Sequence, residues 1–197
     1  MPGNDINTEI SLAVYDVRAA ALARRYAALS MAPQMNRLAG LLSPGIILDA
    51  GCGSGRDLAA WQAAGYQAVG LDRSWGMLGQ ARVAGRPLTR GDMRQLPFAD
   101  RSFAGIWASA SLVHLDQSST MGVLREFRRV TRPGAALYVG MRLGTDTGNW
   151  GRPSLETRWY YSWRPSTLAA TFRQAGFEVL GLDVDKDIWL NVFCRRP

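Results

Sequence analysis

The 197 residues include 47% hydrophobic side chains and two cysteines, enough to bury one core and too few for two ordinary domains, so a single domain over 1–197 is expected. No apolar run approaches the roughly 20 residues of a membrane span, and the opening MPGNDINTEI is polar and acidic rather than signal-like, which points to a cytoplasmic protein without membrane contact. The net charge of +7 rests on arginines scattered from Arg18 to Arg196, with Lys186 the only lysine; this argues against a nucleic-acid partner and leaves gripping an anionic small molecule as the use of a few of them.

Thr8 to Leu29 is predicted as one helix, with Ile10, Val14, Val17, Ala21 and Leu29 near one stripe and no internal glycine or proline. Pro33 restarts a short helix through Leu42, and Ser43-Pro44-Gly45 turns the chain into a first strand. These N-terminal helices, about 8–42, are expected to lie across a ligand mouth.

Ile46 to Asp57 reads IILDAGCGSGRD, an apolar strand, a glycine turn and a helix start. Gly51, Gly53 and Gly55 leave the main chain open to a ligand. A dinucleotide turn would need G-x-G-x-x-G with free amides facing a pyrophosphate; here the third glycine comes one place early and Arg56 holds its position. Asp49 and Asp57 flank the turn, and paired carboxylates repel phosphate and suit a cation. The next strand, Gln67 to Asp72, ends in a carboxylate placed to take both hydroxyls of a ribose. A positively charged nucleoside without phosphate satisfies both features.

Leu58 to Ala64 is predicted as the first crossover helix, ended by Gly65, and Ser74 as the N-cap of a helix through Ala81. Arg86 to Arg90 is a third strand, with Gly91-Asp92-Met93 beyond it. Phe103 to Ala110 is a buried fourth strand, followed by Ser109 to His114 at the carboxyl edge, where ligands lie in an open parallel sheet. His114 is the chain's single histidine and is either a general base, since imidazole titrates near working pH, or a structural or positioning residue. Asp116 caps a helix to Val130, and Arg132-Pro133-Gly134 turns hard into a fifth strand, Ala135 to Met141. The next stretch, about 142–164, carries Trp150, Trp159, Tyr160, Tyr161 and Trp163 among Arg142, Arg152 and Arg158. So long and aromatic a loop is expected to be a lid and substrate wall, its rings excluding water and its arginines gripping an anion. Ser166 to Ala175 forms a last helix, and Phe177 to Val184 with Ile188 to Arg195 a closing hairpin.

ILDAGCGSG, GLD, RGDMRQLPFADRSFAGIWA and LREFRRVTRPGAALYV, in that order, resemble the motif series of the Rossmann-like S-adenosylmethionine-dependent methyltransferases, over roughly Tyr15 to Arg195. The resemblance implies an α/β three-layer sandwich, its mostly parallel seven-stranded sheet closed by an antiparallel last strand. It implies S-adenosylmethionine as cofactor, S-adenosylhomocysteine as product, and a small-molecule acceptor. Tyr15 and Arg25 would then help close the site over the methionine part. Asp49, Ala50, Gly51, Gly53 and Asp72 would hold the sulfonium nucleoside, and Arg73 to Met77 would edge the adenosine pocket, with Met77 covering adenine. Asp92 and the Met93 amide would form the purine-recognition pair, with Ser109 nearby. His114 is the catalytic candidate, and Arg142, Arg158, Tyr160 and Tyr161 the candidates for the acceptor, an O or N atom of an acidic or aromatic metabolite. Alternatives are an RNA or protein acceptor and a non-catalytic cofactor-binding protein. Ala104 stands where the family usually has aspartate. A monomer or homodimer without metal is expected.

Overall fold

The computed structural model describes residues 3–82, 86–151 and 157–197. Its centre is a sheet whose inner strands are short and apolar: β1 (Ile47–Ala50) and β4 (Phe103–Ala108) are buried at every position. Such runs read as strands covered on both faces. β1 pairs in parallel with β2 (Ala68–Asp72) and β4, and β2 with β3 (Leu88–Arg90). β4 pairs in parallel with β5 (Thr131–Leu143). On the far side of β5 lies β9 (Trp189–Arg195), antiparallel, with β8 (Glu178–Asp185) outside it. These seven strands form the expected mostly parallel sheet with an antiparallel last strand, and a hairpin from the aromatic stretch brings it to nine among the described residues.

Apolar helix faces cover both sides. Val123, Leu124, Phe127 and Val130 of α6 (Gln117–Val130) and Leu168 and Phe172 of α7 (Pro165–Gln174) pack on one face. Met35 and Leu38 of α3 (Ala32–Ala39) and Leu58 and Trp61 of α4 (Arg56–Ala63) pack on the other, against Trp107 and Tyr138, whose rings stack at 4.2 Å. A third cluster joins the N-terminal helices to α5 (Trp75–Ala81) through Ala19, Leu22 and Met77.

Three expectations are corrected. The single helix over 8–29 is two, α1 (Gly3–Val17) and α2 (Ala19–Ala27), broken at Arg18. The break follows Asp16, which is fastened to the start of α5: Ser74 Oγ donates to Asp16 Oδ1 at 2.5 Å and the Gly76 amide at 2.9 Å. The hard turn at Arg132-Pro133-Gly134 is instead part of β5, whose register with β4 shifts between Phe103 and Gly105. The long aromatic loop is largely a hairpin, β6 (Gly148–Trp150) with β7 (Trp159–Trp163). Arg152 lies outside the described residues.

The hairpin's position is set by β5, which outruns β4. The last β4 partner is Val139, whereas Arg142 and Leu143 pair in parallel with Ser162 and Trp163 of β7. Since β9 already occupies the other edge at Arg142, β7 continues the sheet where β4 stops. It thereby walls the carboxyl edge at which the glycine turn opens.

Candidate active site

The glycine turn consumes its own amides. Gly51 and Cys52 donate to the Leu71 carbonyl, Gly55 to the Cys52 carbonyl, and Gly53 to Asp72 Oδ2 at 2.7 Å. These are the donors a pyrophosphate would need, so the turn is built for another ligand. Gly51 sits at φ 79°, and a Cβ there would come within 2.3 Å of the Ser111 side chain; both strain and contact require glycine.

Beside the turn two buried oxygens, Asp49 Oδ2 and Ser111 Oγ, have no hydrogen-bond partner among the described residues. Asp49 is 2% exposed. Burial, then the neighbouring Asp57 and Asp72 charges, push its carboxyl well above the ordinary carboxylate range. A cation lodged there would relieve both the desolvation and the repulsion, so these residues fit a sulfonium. Asp57 does not share the task as expected. Arg56 holds it in a two-pronged pair with both contacts at 2.7 Å, and Trp107 Nε1 donates to it at 2.9 Å.

Asp72 spans the base of the cleft, accepting the Gly53 amide on one oxygen and the Ser74 amide on the other at 2.8 Å. Each oxygen keeps capacity for a further donor. Asp92 is met by Arg94 Nη2 at 2.7 Å and by Arg73 Nε at 3.5 Å. Burial opposes ionisation there, yet Arg94 and then Arg73 bring the carboxyl below its ordinary value.

His114 ends a 3₁₀ turn, Leu112–His114, after β4 and is 9% exposed. Its Nδ1 lies 2.5 Å from the Trp159 carbonyl, which only accepts, so Nδ1 carries the proton. Nε2 therefore accepts from the Tyr15 hydroxyl at 2.9 Å. Burial lowers the His114 pKa to about 4, the Trp159 carbonyl pulling the other way. Thus the imidazole is neutral at working pH with both nitrogens engaged, which is not the geometry of a free general base. Arg158, 4% exposed, lies over the Tyr15 ring at 4.7 Å and donates to the Tyr26 hydroxyl at 2.8 Å. Arg142 faces the Trp189 ring at 5.3 Å and the Tyr160 ring at 5.8 Å. One cleft of about 580 Å³ runs from the glycine turn to these side chains.

Residues 48–139, from the first strand through the fifth, match the methyltransferase domain family. Over these residues, just under half of the chain, the protein is similar to the methyltransferases. A malonyl-[acyl-carrier protein] O-methyltransferase of Erwinia pyrifoliae is 43% identical over 90 residues, 45% of this chain and 34% of that protein. The chain thus spans about a third of that relative's length. Among solved structures, a SAM-dependent methyltransferase from Methanosarcina mazei superposes with a TM-score of 0.75 at 21% identity, over 85% of this chain and 99% of that one. The glycopeptide N-methyltransferase MtfA, solved with S-adenosylmethionine, gives 0.69 at 16% identity over 86% and 88%. Both likenesses are of fold.

Most expected residues converge on the cleft: Tyr15, Arg25, Asp49, Gly51, Gly53 and Asp72 line it, as do Arg73, Met77, Asp92, Met93, Ser109 and His114. Arg142, Arg158 and Tyr160 line its far end. Ala50 is fully buried behind the turn. Tyr161, expected at the acceptor, lies outside the cleft: strand alternation opposes it to Tyr160, and its hydroxyl donates to the Asp146 carbonyl at 2.7 Å. Ser111, Trp189 and Asn191 line the cleft and were not singled out as site residues. The alternation of Trp189 and Asn191 with Leu190 and Val192 was the available signal for the last two; Ser111 had none, since its role appears only where Gly51 approaches it.

Proposed function

We propose that this protein transfers the methyl group of S-adenosylmethionine to a small acidic acceptor, at a carboxylate oxygen. The observation that carries the reading is that the chain's one imidazole is neutral and doubly engaged while the far end of the cleft holds Arg142 and Arg158 among aromatic rings. An acceptor that arrives as an anion needs no base, only alignment and exclusion of water. The relative that acts on a malonyl group supports the same class of acceptor.

When bound, S-adenosylmethionine supplies a methyl group on a sulfonium and leaves as S-adenosylhomocysteine. Of the residues lining the cleft, Asp49 would hold the positive charge, Asp72 would offer its spare acceptor capacity to the ribose, and Asp92 with the Met93 amide would meet the adenine edge. Met77 and Met93 shape the apolar walls. His114 acts as a positioning residue: it fixes the Tyr15 hydroxyl through Nε2 and the start of β7 through Nδ1. Arg142 orients the carboxylate, and Tyr160 and Trp189 flank it.

Calorimetric titration of a panel of carboxylic acids against the S-adenosylhomocysteine complex tests this, followed by product analysis for methyl esters, which mild alkali cleaves. Arg142→Met is expected to weaken acid binding roughly 10–100-fold, the range for losing a charge-assisted hydrogen bond, with cofactor binding unchanged. Acids that do not bind, or a methyl group resistant to alkali on a phenol or amine, would remove the carboxylate assignment.

A further inference from the structure

At the amino edge of the sheet, away from the cleft, the fold gathers a second set of charges. Arg101 just precedes β4, Arg125, Arg128 and Arg129 lie on the later turns of α6, and Arg196 directly follows β9. They line a depression of about 300 Å³ together with Asp100. Arg129 is committed, to Asp100 and Glu126 at 2.8 Å each. Among the described residues no carboxylate pairs with Arg101, Arg125, Arg128 or Arg196.

Arg196 sets this apart from an ordinary solvated patch. It is 9% exposed, its Nη1 is tied to the Thr131 carbonyl, and its Nε is buried without a partner. A guanidinium so buried normally has an anion to offset the lost hydration. Here the groups facing it add to the cost: burial first, then Arg128 and Arg101, lower its hold on the proton, with Asp100 the opposing charge. The backbone accepts strain in the same place, with Arg101 at φ 55°.

We propose that this depression is an anion site, distinct from the cofactor cleft, for a compact ligand of the phosphate class. Several guanidinium groups converging on a small concavity provide the forked donors that phosphate oxygens accept. No feature of the depression reads a base or a ring, so the ligand is recognised through its phosphate alone, whether free or at the end of a larger molecule.

The test is calorimetric titration of the whole protein with inorganic pyrophosphate and with orthophosphate, at constant ionic strength held with chloride, with and without saturating S-adenosylhomocysteine. The comparison variant is Arg101→Asn with Arg128→Gln; both side chains are exposed, and asparagine tolerates the left-handed backbone at 101. Saturable binding, unchanged by S-adenosylhomocysteine and weakened roughly tenfold or more in the variant with an unchanged Tm, is the expected result. Tighter binding of pyrophosphate than orthophosphate assigns a ligand with two adjacent phosphates, and the reverse a single phosphate. No saturable binding, binding equal in the variant, or competition by S-adenosylhomocysteine would each overturn the proposal.

Discussion

Asp49 shows how one residue sets affinity against stability. Its carboxyl is raised by burial and by two neighbouring aspartates, so the folded chain holds a proton above the ordinary value of 3.8 that the unfolded chain has released. Stability of the ligand-free protein therefore falls as pH rises from that value toward the raised one. Asp49→Asn is expected to raise the neutral-pH Tm, each 1 kcal/mol gained being worth roughly 2–4 °C in a chain of this size. The same change should weaken S-adenosylmethionine more than S-adenosylhomocysteine, which lacks the charge; equal weakening of both, measured by calorimetry, would show that Asp49 does not sense the sulfonium. His114 has the opposite sign. Its folded pKa of about 4 lies below the ordinary 6.5, so its contribution is complete above pH 6.5 and is lost as pH falls toward 4. The shift corresponds to about 3 kcal/mol at most. Urea midpoints should rise between pH 5 and pH 7, and His114→Asn should flatten that rise.

At the scale of elements, α1 is a clasp between the cofactor turn and the acceptor wall. Asp16 binds the start of α5 through Ser74 and Gly76. One and a half turns earlier Ser11 Oγ accepts the Trp159 amide of β7 at 2.9 Å, and Tyr15 reaches His114 from between these two anchors. Asp16→Ala removes two acceptor contacts, at a cost of about 1–3 kcal/mol. The loss should be local, seen as faster amide exchange across α1 and β7 while β1, β4 and β5 keep their protection. Uniform acceleration through the sheet would mean that the clasp is part of the global fold. Helix α1 was legible in its apolar stripe, but its break at Arg18 was not, because the partner that holds Asp16 lies about 60 positions along the chain. The hairpin β6–β7 was likewise hidden: glycines and aromatics read as a loop until β5 outran β4 and left an edge to pair with.

For the molecule as a whole, strands from Ile47 to Arg195 share one hydrogen-bonded sheet, and a single cooperative unfolding transition is expected by calorimetry. Saturation with S-adenosylhomocysteine at 100 times its Kd should add about 2.7 kcal/mol and move that transition upward by roughly 5–10 °C; two separated transitions would divide the chain into independent units. Two sets of positive charge lie on opposite edges of the sheet, one around the cleft and one around Arg196, a separation that composition could not express. What the amino-acid order determined by itself was local or periodic: apolar runs that must be strands, the left-handed glycines at 51 and 53, the capping Ser74 and Asp116, and the strand-end aspartates. These follow from steric and hydrogen-bonding rules within a few residues. Only the tertiary structure decided how charges were shared. It paired Asp57 with Arg56 and left Asp49 Oδ2 without a hydrogen-bond partner among the described residues, engaged both nitrogens of His114, and turned Tyr160 toward the cleft and Tyr161 away from it. A side chain's ionisation and reach depend on what the rest of the chain packs around it, and those neighbours come from distant positions.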